Sequence, residues 1–230
     1  MTPHRNIVAR RPVFPVRRIA TVWHWGSPTP PTRRPASSME CWHLSVTAHP
    51  WAWLGIAKLG GSPLYALHRA DGTRGVFVDM RSLPQERREA LLQSVRDLVT
   101  PTTVYVHSRW DEELEETVEN LYRTHKEAAF EHEGERGVIE ARRGWAPTRA
   151  LQVLWKRHFI GRLDPYSVQD CALLAAIERT ARFDGAWWTD RLDSVNYSAP
   201  RGAIFQSRVR EWAWRGPLPE TACPDFGADW

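Results

Sequence analysis

Between Phe183 and Phe205 the sequence FDGAWWTDRLDSVNYSAPRGAIF sets two short apolar runs around a dense group of turn-formers and polar side chains. Arg201, flanked by Pro200 and Gly202, would hold a guanidinium on a rigid turn, the arrangement that two-pronged hydrogen bonding to phosphate or carboxylate requires. Trp187 and Trp188 each supply a large flat apolar face and one N–H donor. The loop between carries Thr189, Asp190, Asp193, Asn196, Tyr197 and Ser198. Loops held between strands are where binding groups concentrate, and this set suits an anion that also carries rings. The plainer alternative is a Trp-anchored hairpin whose Arg201 pairs with Asp190 or Asp193 on the surface.

These side chains need a framework, and the pattern supplies strands for it. FDG is a turn signal, AWW a short buried run and AIF a second one, so the stretch reads strand, loop, strand. Neighbours on a strand point to opposite faces, so one of Trp187 and Trp188 is expected in the core and the other at a ligand or partner. Upstream, ECWHLSVT alternates with the period of a half-buried strand. His43 would point from its polar side. Pro50 opens a helix that Gly60-Gly61 ends, Leu64–His68 and GVFVDM form a hairpin about Ala70-Asp71-Gly72, and TTVYVH is a further strand. Helices are expected after Leu83-Pro84, over Thr124–His132, after a Thr148 cap, and over Pro165–Ala181; a weak strand lies in Glu133–Arg143. Strands and helices mix without regular alternation. That predicts an α+β fold with a mixed, mainly antiparallel and split sheet flanked by helices.

Composition fits one globular domain over residues 39–215 with ends outside it. Thirteen Trp in 230 residues mark the chain, and most are expected in its core. The net charge of +4 resides in residues 1–38, which hold seven Arg, seven Pro and no acid, while the remainder has 24 basic and 27 acidic residues. A uniformly basic binding domain is therefore excluded, and any weak polyanion binding is expected of the arm alone. The arm is expected to be disordered, and residues 216–230 to be a tail laid over the body or disordered. Cys41, Cys171 and Cys223 show no metal-finger spacing; Cys41 and Cys171 read as small buried hydrophobes in a reducing, cytoplasmic setting. No apolar run could span a bilayer, so no membrane partner is expected. Phosphate-loop, dinucleotide-fingerprint, zinc-protease and hydrolase-elbow motifs are missing, nine His are scattered, and no metal site is expected.

In the order CWHLS, PLYAL, FDGAWW and APRGAIF the chain resembles the small ADP-ribosyltransferase-like fold of bacterial and phage toxins and modifiers. The resemblance implies a His on the early strand that holds a ribose of NAD, here His43, and a Tyr that stacks on nicotinamide, here Tyr65. It also implies an acid after the late strand, where this chain has Gln206. A Gln supplies no negative charge for an oxocarbenium-like transition state. The expected ligand is an NAD-like nucleotide held by Trp187, Trp188, Tyr197 and Arg201, with His43, Tyr65 and Gln206 at the catalytic positions and an unknown protein or nucleic acid as target. The competing expectation is a non-catalytic interaction module, such as a toxin or phage-defence partner, with Trp residues at its interface.

Overall fold

Alternation of apolar and polar side chains, with Gly, Pro or Asp at the breaks, sets most of the strands that form. The computed structural model describes residues 14–27, 34–35, 40–56, 59–109, 129–132, 135–163, 165–180, 182–189 and 199–219. In chain order the elements are β1 (Val16–Ile19), β2 (Thr21–Trp25), β3 (Arg34–Pro35), β4 (Leu44–Thr47), α1 (Pro50–Ile56), β5 (Leu64–Arg69), β6 (Gly75–Asp79) and α2 (Gln85–Ser94). They continue as β7 (Val99–Arg109), β8 (Ala129–His132), β9 (Glu135–Pro147), α3 (Arg149–His158), β10 (Phe159–Ile160), α4 (Pro165–Glu178), β11 (Gly185–Thr189), β12 (Arg201–Ile204) and β13 (Trp212–Leu218).

The class is α+β, and the chain divides into two compact units where composition predicts one domain over 39–215. The first unit comprises Leu44–Pro84, Arg182–Trp230 and the segment ending at Ser27. Its eight strands pair in the order β1-β6-β11-β12-β4-β2-β5-β13. All these pairs are antiparallel except β11 with β6. One face of the sheet packs Val22, Leu44, Val46, Leu67, Phe77, Trp187, Ile204 and Trp212 into a core. On the other face Trp25 and Leu64 pack with Trp23, Trp51, Trp53, Leu54 and Leu59.

The second unit comprises Pro28–His43 and Gln85–Ala181. In it β7 and β9 pair antiparallel over their length, from Val99↔Pro147 to Arg109↔Gly137, and β8 joins β9. Thr148 caps α3, accepting the Leu151 N–H, as its position before the apolar periodicity predicts. Ala129–His132 is a strand where a capped helix is expected, because it pairs with Ala129↔Val138 register on β9. Local helix propensity gives way there to a tertiary ladder.

Residues 14–27 depart most from expectation. The predicted disordered arm contributes β1, paired with β6, and β2, inserted between β4 and β5. Within TVWHW, Val22 and His24 alternate with Trp23 and Trp25, and Val22, His24 and Trp25 are buried. Composition averaged over 38 residues hid a five-residue strand. Likewise Gly216–Leu218, expected to begin a tail, complete the edge strand β13 (Trp212–Leu218); Pro217 is tolerated because an edge strand need not donate on its outer side.

The two buried cysteines are also a correction, since Cys41 and Cys171 are joined as a disulfide with Cα atoms 5.7 Å apart. Among the described residues no helix is long and apolar enough to cross a membrane.

Candidate functional site

The side-chain period of two sorts the sheet's polar and aromatic groups onto its two faces. On the core face a cross-strand row runs from Tyr65 on β5 to His24 on β2, past Val46 and Gly202, to Trp187 on β11 and Asp79 on β6. Trp214 lies edge-on to Tyr65, with ring centroids 5.5 Å apart, and to His24 at 5.7 Å. The His24 Nδ1 meets the Ser45 carbonyl at 2.8 Å. Gly202 is needed in this row: any Cβ there would collide with the Trp187 ring, so only glycine lets the indole lie across β12.

At the Asp79 end of the row the surface opens into a cavity of about 570 Å³. Its lining includes Arg17, Arg18 and Arg74 around Ala48 and Trp187, with Asp79 the sole carboxylate among its described residues. That volume lies within the usual range of small-molecule sites. Asp79 accepts from the Arg81 and Ser82 backbone N–H groups and from Ser82 Oγ, and Arg17 Nε donates to it at 3.2 Å. Burial pushes its carboxyl pKa up, but the Ser82 and Arg17 hydrogen bonds outweigh that and hold it below the ordinary value. It is therefore an ionised anchor that fixes Arg17. Arg18 and Arg74 are exposed and, among the described residues, take part in no ion pair.

The Asp of FDG has a different task. Asp184 accepts the Val76 N–H at 2.7 Å and an Arg69 Nη1 hydrogen bond at 2.5 Å. Arg69 also binds Glu211 at 2.7 Å and Asp71 at 2.8 Å. Hydrogen bonds that the guanidinium donates to Asp71, Glu211 and Asp184 raise its pKa further above its ordinary value despite burial. The network ties β5, β6 and the turn before β11 to the 3-10 turn at Val209–Glu211. FDG is thus a structural fastening.

Arg201 lies on the opposite face from Tyr65 and Trp187. It is the first residue of β12, not a turn residue, and stands opposite Thr47, which in turn stands opposite Trp23. Its guanidinium sits over the Trp53 ring, 5.4 Å from the centroid. Thr47 Oγ1 donates to the Pro200 carbonyl and accepts the His49 N–H. Burial lowers the His49 pKa, so the unfolded chain takes up a proton near pH 6.5 before the folded one does. Stability is complete above that pH and declines as pH falls through it. The loss of melting temperature between pH 7.5 and 5.5 should accordingly be smaller in His49→Asn than in the unaltered chain; an equal loss in both would assign the effect elsewhere.

The expected site residues are therefore dispersed. Tyr65 and Trp187 share a row, whereas Arg201 belongs to the other face, and Trp188 is the extra residue where the β11–β12 register shifts. Gln206 lies in an exposed turn two residues beyond Ile204, the end of β12. His43 precedes β4 in the second unit. There it is 1% exposed, in a turn closed by its own N–H to Glu40 O, with its ring 5.3 Å from Trp42. It is a buried turn residue, not a polar-side strand residue. Tyr197, Asp190 and Asp193 lie outside the described residues. Sequence reasoning missed Arg18, Arg74 and Asp79; the signal was present in GVFVDM, whose last Asp ends a strand just before a turn. No group of three or more His, Cys, Asp or Glu that could hold a metal ion occurs among the described residues. No protein-family model, curated protein or solved structure matches the chain.

Proposed function

We propose that the large-sheet unit binds a nucleotide of the NAD type in the cavity bounded by Arg17, Arg18, Arg74, Ala48 and Trp187. The observation that carries this reading is the cavity's pairing of chemistries: two exposed cations without ion pairs and a third fixed by Asp79, set beside an apolar floor. Phosphates ask for the first and a ring for the second. The resemblance to ADP-ribosyltransferase-like proteins supports the same ligand class, with a protein or nucleic acid as the target of any transfer. Binding is the part the geometry favours. Gln206 brings no charge, and the one carboxylate among the described residues of the cavity, Asp79, already accepts hydrogen bonds from Arg17, Arg81 and Ser82.

Calorimetric titration of the full chain with NAD and with ADP tests the proposal. Both should bind below millimolar concentration, and Arg18→Ala with Arg74→Ala should weaken them at least tenfold, about 1.4 kcal/mol, with the melting temperature unchanged. Absence of heat at millimolar NAD and ADP would end the reading. As to location, the cytoplasm would require Cys41 and Cys171 to be reduced, whereas their disulfide favours an oxidising compartment. Thiol counting on protein taken from its native host decides between them.

A further inference from the structure

From Thr148 to Leu163 the chain contains no acidic residue and carries Arg149, Lys156, Arg157 and Arg162, all exposed and, among the described residues, in no ion pair. Two other arginines of this second unit are ion-paired: Arg179 grips Asp97 through two hydrogen bonds of 2.8 and 2.7 Å, and Arg143 pairs with Glu89. Asp97, which meets the start of α3 through the Thr148 hydroxyl, thus has its carboxylate occupied. Arg149 and Arg157 stand eight residues apart on α3, on one line with Val153. They bound a shallow groove of about 500 Å³ floored by Ala150, Val153 and Leu154.

We infer that this face of α3 and the Gly161-Arg162 turn after it bind the phosphate backbone of a nucleic acid. Eight helical residues span about 12 Å, which matches three to four nucleotides at about 3.4 Å each. Arginine forks at both ends can therefore engage phosphates of one strand while the small aliphatic floor lets the backbone approach. An anionic membrane is the competing occupant, because Val153 and Ile160 are 44% and 60% exposed. The insertion residues an interfacial helix uses are large aromatics and Leu on its outer face. Here Trp155, Phe159 and Leu151 are all turned inward and buried, which favours nucleic acid. This inference rests on the second unit alone and is independent of the nucleotide cavity.

Fluorescence anisotropy of the full chain with a labelled 20-nucleotide single-stranded RNA, the same RNA as duplex, and duplex DNA tests it across a salt series. Four phosphate contacts predict a slope of log affinity on log salt of about −2.8 for the single strand and about −3.6 for duplex DNA. Comparing the three probes shows whether RNA or DNA is preferred. Arg149→Ala with Arg157→Ala, exposed changes that favour the helix, should weaken binding at least tenfold and cut the slope roughly in half at unchanged melting temperature. The inference is overturned by no binding to any of the three at 50 mM salt, by an affinity and slope that survive the double substitution, or by binding only to phosphatidylserine vesicles.

Discussion

Arg69→Ala is expected to destabilise the protein by about 3–5 kcal/mol, because it leaves a buried carboxylate without its cation. The side chain joins Asp71, Asp184 and Glu211, and of these Asp184 is the most enclosed. Asp184 would keep the Val76 N–H. Glu211 would keep Arg208, which binds it at 2.7 Å. At roughly 2–4 °C per kcal/mol for a chain of this size, the melting temperature should fall by about 10 °C. Asp71→Asn removes the exposed member of the same network, and surface pairs contribute about 0–1 kcal/mol. Urea unfolding of both variants separates the cases; a loss below 1 kcal/mol for Arg69→Ala would show that the network is ornamental and that water replaces the guanidinium.

Trp187→Ala and Trp188→Ala should each cost about 3–5 kcal/mol as large-to-small changes in a packed interior. The two indoles are 1% and 8% exposed. Both are enclosed, so neither position can be given up without a cavity. Trp187 packs at 5.6 Å against Phe77 and lies across Gly202. This differs from the expectation that one of the pair would be tolerated. Denaturation midpoints settle it: a Trp188→Ala variant as stable as the parent would restore Trp188 to a surface role. Trp187→Ala should also weaken nucleotide binding more than Trp188→Ala does, since only Trp187 lines the cavity.

Elements whose signal is local could be read from the chain. The turn after β5 forms at Ala70-Asp71-Gly72 as its composition dictates, with Gly72 at φ 74° where a side chain would be strained, but the strands it joins do not pair as the expected hairpin: β5 lies between β2 and β13, and β6 between β1 and β11. Thr148 sits at the start of α3, and β11 follows FDG, because caps and turns depend on a few adjacent residues. The α+β class follows from the irregular mixture of such segments. What only the tertiary structure decided is partnership. Val16–Ile19 and Thr21–Trp25 are short runs hidden in an Arg- and Pro-rich segment, and become strands because β6, β4 and β5 have unpaired edges to fill. The disulfide joins Cys41 to a residue 130 positions away, a distance no spacing rule reaches. The site was legible in residue type and not in placement. Tyr65, Trp187 and Arg201 were named for their chemistry, but register put the first two on one face and Arg201 on the other, since a strand reverses its side chains at every residue.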